Sequence, residues 1–201
     1  MSHHLQSVAR NRICRMSGEP INLTNQFLIA MPGMADDHFA RAVVYLCEHS
    51  SNGALGLVIN RPTDITLKSL FEKVELSLDR DELAQQPVFF GGPVQTERGF
   101  VLHEKTGTEQ SPYTSTLSIA GGELEMTTSK DVLEALSNGA GPKRLLITLG
   151  YSGWAAGQLE DEMRRNSWIN VPAAPEIIFD TPIEKRYEKA LRSEEHTSEL
   201  Q

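Results

Sequence analysis

What this chain lacks narrows its range before any motif is considered. No apolar run approaches the ~20 residues that a membrane-spanning helix needs. The opening residues, MSHHLQSVARNRICRMSGEP, have no apolar centre of the kind a secretory signal carries. Both absences point to a reducing cytoplasm, away from membranes. Cysteine is scarce: Cys14 and Cys47 are far apart and there is no CxxC, so neither a disulfide framework nor a thiolate zinc site is written here. Positive charge is short as well. Lys and Arg number 19 against 27 Asp and Glu, a net charge of −8, and Arg10, Arg12 and Arg15 sit near the start, leaving the remainder more acidic still. Nucleic-acid surfaces need clustered positive charge, so direct nucleic-acid contact is not expected. Neither GxxxxGK[ST] nor a GxGxxG between strand and helix occurs, and His38, His49 and His103 have no ligand spacing, so no cofactor and no metal is expected.

What is present suits one soluble domain: 201 residues, 39% hydrophobic and 23% charged, enough to bury a core. Apolar, β-branched runs predict strands at Phe27–Met31, Arg41–Cys47, Ala54–Asn60, Val88–Phe90, Gly99–His103, Thr116–Ile119, Leu124–Thr127, Leu145–Leu149, Trp168–Val171 and Ile177–Asp180. Ser50-Ser51-Asn52-Gly53 and Gly121-Gly122 read as hairpin turns. Helical spacing predicts helices over Thr66–Val74 and Ser129–Leu136 (Ser129 as its cap), a helix that begins over Glu184–Leu191 and runs into the tail, and a turn of helix at Asp36–Phe39. Another helix is expected from Ala155, after a strand ended by Gly150 and Gly153. Strand pairs on tight turns, without regular βαβ alternation, predict an α+β fold with a mixed, largely antiparallel sheet.

Both ends stand apart. Residues 1–21 form a polar, basic tail, either a disordered extension or the product of a start codon placed ahead of Met16. The domain proper is expected over 22–191. Residues 192–201, RSEEHTSELQ, resemble the translation of a sequencing adapter and read as a non-native tail.

Four blocks carry a family likeness: NLTNQFLIAMPGM from Asn22, FARAVVYLCEHSSNGALGLVINRP from Phe39, FFGGPVQTERGFVLH from Phe89 and LGYSGWAAGQLEDEMRRNSW from Leu149. In this order they resemble the YqgE/AlgH family of bacterial proteins, over nearly all of the domain. The resemblance implies bent sheets closing into a pseudo-barrel with interspersed helices, and a cytosolic protein. It brings a description as a transcriptional regulator but no established chemistry.

The residues suggest two classes of function. A non-catalytic binding or regulatory protein, with an unidentified protein or small-molecule partner, fits the missing catalytic set. A hydrolase or thiol-dependent enzyme would need one pocket near the Gly150–Glu162 turn. Ligand-binding candidates are Gly91, Gly92, His103, Tyr151, Trp154, Gln158 and Glu160, and the reactive-thiol candidate is Cys47. Cys47 and His49, two apart on a strand, are expected on one face, where imidazole could lower the thiol pKa. The bland alternative is a core of Trp154, Leu159 and Trp168 with polar residues bonded to loop backbone.

Overall fold

The computed structural model describes residues 21–33, 39–107 and 110–199, with side chains to Glu194. The N-terminal tail with Cys14 and the expected helical turn at Asp36–Phe39, apart from Phe39, lie outside the described residues. Ten strands are present: β1 (Gln26–Ala30), β2 (Val43–Ser50), β3 (Gly53–Val58), β4 (Pro62–Thr66), β5 (Pro87–Phe90), β6 (Val94–Glu104), β7 (Thr116–Ser118), β8 (Leu124–Thr127), β9 (Leu145–Ala155) and β10 (Trp168–Pro172). Five α-helices accompany them among the described residues: α1 (Leu67–Lys73), α2 (Asp131–Ser137), α3 (Gln158–Arg164), α4 (Pro175–Phe179) and α5 (Ile183–Glu199).

The sheet runs β10-β1-β2-β3-β9-β6-β8-β7 and curls into a half-barrel, an α+β fold. Only β5 beside β9 pairs in parallel, with Phe89 opposite Thr148; every other ladder is antiparallel. Both faces of the central strands are covered, which is why they read as unbroken apolar runs. The inner face collects Phe27, Ile29, Tyr45 and Cys47 from one end of the sheet and Phe100, Leu102 and Met126 from the other, closed by Ile178 of α4 and Tyr187 of α5. One cluster can draw on both ends only because the sheet curls. Outside, Leu28, Val44, Leu46, Trp154 and Trp168 pack under Leu159 of α3. Further along the outer face, Val88, Val101 and Ile147 pack under α1 and α2.

Three sequence expectations are corrected. β9 does not end at Gly150 but continues to Ala155, and its helix starts only at Gln158. The strand expected at Ile177–Asp180 is the short helix α4, with Pro175 in its first turn, where a missing N–H costs nothing. Ser129 does not cap α2: its hydroxyl bonds Asp131 instead, and Lys130 occupies the cap position without a side-chain bond. By contrast, the helix that begins near Glu184 runs into the tail as expected, to Glu199, with Glu194 buried. Likewise, α1 starts as its sequence predicts, with the Thr66 hydroxyl accepting from the N–H of Ser69.

Candidate functional site

The signature block from Gly150 to Trp168 folds into the end of β9, helix α3 and the start of β10. Two strand irregularities decide what it touches. In β2 the register against β3 slips between Leu46 and Glu48, leaving Cys47 as an extra, bulged residue. A one-residue slip moves every later side chain to the opposite face. Cys47 therefore stays in the inner core, whereas His49 turns outward to α3. Cys47 and His49 do not share a face, and the expected thiol–imidazole contact is not formed. The second irregularity is at Gly150, which adopts φ +75° in β9. Before it, Leu146 points inward and Ile147 outward; after it, Tyr151 packs inward and Trp154 outward. Both breaks thus aim a polar-tipped side chain at the same short helix.

Around α3 the polar atoms close on one another. The Leu23 N–H donates to His49 Nδ1 at 2.9 Å, so the neutral ring carries its proton on Nε2 and donates it to Glu160 Oε1 at 2.7 Å. Burial opposes ionisation of Glu160, but its own backbone N–H and His49 outweigh it, holding the carboxyl below the usual carboxylate range. One turn on, Glu162 Oε2 accepts from both indoles, Trp154 Nε1 at 2.8 Å and Trp168 Nε1 at 2.9 Å. Gln158 donates to Glu162 Oε1 at 3.3 Å and accepts from the Ala155 N–H at 3.0 Å. Phe39 packs against both indole rings, with centroids 6.3 Å and 5.5 Å away, and the indoles meet edge to face at 6.0 Å. With each His49 nitrogen engaged, the imidazole has no lone pair left to act as a general base.

The other candidates lie elsewhere. Gly91 and Gly92 allow β5 to touch β9 backbone to backbone: a Cβ on Gly92 would stand 2.1 Å from the Tyr151 carbonyl carbon. Tyr151 meets Phe100 edge to face at 5.5 Å on the inner side. His103 is fully buried on β6; its Nδ1–H donates to the Glu104 carbonyl and its Nε2 accepts from Thr127, each at 2.8 Å. Burial, partly offset by the Glu104 carbonyl and nearby Glu125, holds the His103 pKa below the ordinary histidine value. Cys47 is 1% exposed, and burial reinforced by Glu48 drives its thiol pKa far up, away from the thiolate. The candidates therefore occupy four places: the α3 clamp, the β5–β9 contact, the β6–β8 interior and the β2 bulge at Cys47.

Sequence reading passed over Glu162 as a site residue, although it joins both tryptophans; Trp154, Glu162 and Trp168 at spacings of eight and six were the available signal. It also passed over a cavity of about 460 Å³ lined by Ala40, Arg41, Asn60, Arg61, Pro62, Ile183, Glu184 and Tyr187, none of them a candidate above. Among the described residues no three His, Cys, Asp or Glu side chains gather as a metal site requires. None of the described helices is long and apolar enough to cross a membrane.

An α+β half-barrel with one short helix clamped by Glu–His and Glu–Trp bonds defines the structural class. Within it the chain belongs to the AlgH-like family, whose model matches residues 27–198. A UPF0301 protein of Variovorax paradoxus is 66% identical over 177 residues, covering 86% of this chain and 88% of the relative. One from Burkholderia vietnamiensis is 67% identical over 171 residues, covering 85% and 88%. The solution structure of the AlgH protein from Pseudomonas aeruginosa superposes with a TM-score of 0.73 at 47% identity, covering 89% of this chain and 92% of that one. A crystal structure from Corynebacterium diphtheriae, at 21% identity and TM-score 0.69, covers 91% and 92% and shares the fold.

Proposed function

We propose that this AlgH-like protein works by binding, not catalysis: a cytoplasmic regulatory or adaptor protein whose partner is a protein or a small molecule, acting on transcription indirectly. One observation carries this reading. The clamp of β2 on α3 closes on itself, with both nitrogens of His49 and both oxygens of Glu162 engaged inside the fold. A catalytic set would leave a nucleophile or base facing substrate. The deeply buried Cys47 supports the same view from the thiol side.

The test is chemical. Native protein treated with iodoacetamide between pH 7 and 9 is expected to leave Cys47 unlabelled until denaturant is added. Rapid labelling of the native chain at neutral pH, or turnover of ester or thioester substrates abolished by Cys47→Ser, would establish the thiol-dependent or hydrolytic alternative. On duplex DNA at physiological salt, binding is expected no tighter than the non-specific range of ~10⁻⁴–10⁻⁶ M. A sequence-specific affinity well below that range would make the regulatory action direct.

A further inference from the structure

The cavity that sequence reading missed has the composition of a ligand site. It lies where the turn before β2, the β3–β4 connection and the first turn of α5 meet. Arg41, on its rim, is held at φ +57°. Residues other than glycine adopt that region at an energetic cost, and such strain gathers at binding sites. Asn60 enforces the conformation: its Nδ2 donates to the Arg41 carbonyl at 2.9 Å, and its Oδ1 accepts from the Val43 N–H at 3.0 Å. The Arg41 guanidinium lies 4.4 Å from the centre of the Tyr187 ring and makes no hydrogen bond or ion pair among the described residues. A cation–π contact fixes its position while leaving its N–H donors unspent.

Two more guanidiniums belong to the surrounding structure, one of them in the lining. Arg61 lines the cavity and donates to the Ala40 carbonyl at 2.6 Å. Arg186 is buried outside the lining, donating to the carbonyls of Ile59, the residue before Asn60, at 2.5 Å and Thr181 at 3.0 Å, with its guanidinium 5.1 Å from the centre of the Phe89 ring. Burial lowers its pKa to about 10, so it remains charged at neutral pH, with no carboxylate bonded to it among the described residues. The first turn of α5 adds the positive end of a helix dipole. Among the described lining residues one carboxylate, Glu184, stands against these. In a chain of net charge −8, such a concentration of positive charge around a concavity is conspicuous.

We infer that this cavity binds a small phosphate monoester, with Arg41 and Arg61 holding the phosphate and Asn60 and Tyr187 setting the position of Arg41. A doubly charged phosphate suits the site better than a single carboxylate, because it must outweigh Glu184. Guanidinium forks also match tetrahedral oxyanions in geometry. The volume exceeds what bare phosphate fills, leaving room for the group it is attached to. The inference deepens the proposed binding function by naming one ligand class, and it rests on that reading.

Calorimetric titration of the full chain with inorganic phosphate, adenosine 5′-monophosphate and glucose 6-phosphate, against adenosine and glucose, tests it. At least one monoester is expected to bind saturably, one per chain, and its dephosphorylated partner not at all. Arg41→Ala is expected to weaken binding about tenfold or more, the loss of a charge-assisted contact, and Glu184→Gln to strengthen it. Arg41→Gly supplies the control for folding. It removes the guanidinium and also the strained backbone, so it is expected to melt at or above the wild-type temperature while losing binding. Monoester binding unchanged in Arg41→Ala and Arg61→Ala would overturn this site yet keep the protein a small-molecule binder. No saturable binding by any phosphate probe would overturn the site and leave a protein partner, sought by cross-linking, as the surviving form of the proposed function.

Discussion

Glu162 is the residue on which the signature block turns. Its carboxylate satisfies both indole N–H groups of the chain and a glutamine amide, and hydrogen bonds to a charged acceptor are each worth ~1.5–3 kcal/mol. Glu162→Ala leaves two buried indoles without acceptors and is expected to cost about 2–4 kcal/mol, read from urea unfolding, with a shift in tryptophan emission. His103 acts through pH. Its folded pKa is depressed, so the folded state favours the neutral ring and the unfolded chain takes up the proton first. Its contribution is therefore complete above the ordinary value of ~6.5 and is lost as pH falls toward the lower folded value. Urea midpoints compared at pH 7.5 and 5.5 should fall with acidity, and His103→Gln should reduce that dependence. Glu160, also depressed, loses its contribution at lower pH, below the ordinary carboxylate range, so the two effects separate along the pH axis.

At the scale of elements, β9 explains both what was legible in the sequence and what was not. Apolar runs revealed most strands, and helical spacing revealed α1 and α2, because burial on one or both faces writes a period into sequence. Gly150 was read as punctuation, its usual meaning. Here it is a reversal inside a continuous strand, a distinction that depends on Gly92 standing opposite, with the Gly92 carbonyl 2.4 Å from where a Gly150 Cβ would be. The bulge at Cys47 was hidden for the same reason: a register slip belongs to two strands, and one strand's sequence does not record it. The candidate site was legible as a set of neighbours, Trp154, Gln158 and Glu160, but not as a closed set of bonds. Gly150→Ala combines an unfavourable φ with a backbone collision and is expected to destabilise by about 3 kcal/mol or more. Loss of soluble protein, or a large drop in urea midpoint, is the expected readout; a midpoint within error of wild type would show that β9 can straighten.

For the whole molecule, the three apolar clusters share strands β6 and β9 or β1 and β2, so none can melt while the others persist. Unfolding followed by tryptophan emission, which reports α3, and by far-ultraviolet dichroism, which reports the sheet, is expected to give coincident transitions. The pairing of β1 with β10 carries a further consequence for how the protein is made. Asn170 donates to Gln26 across 144 residues of chain, and ribosomes elongate at ~5–20 residues per second. Roughly 7–30 s therefore separate synthesis of the first strand from arrival of its outer partner. During that interval a nascent chain holds Phe27, Leu28 and Ile29 on an unpaired edge, and the cell's chaperones meet this protein with its earliest strand still waiting for its last.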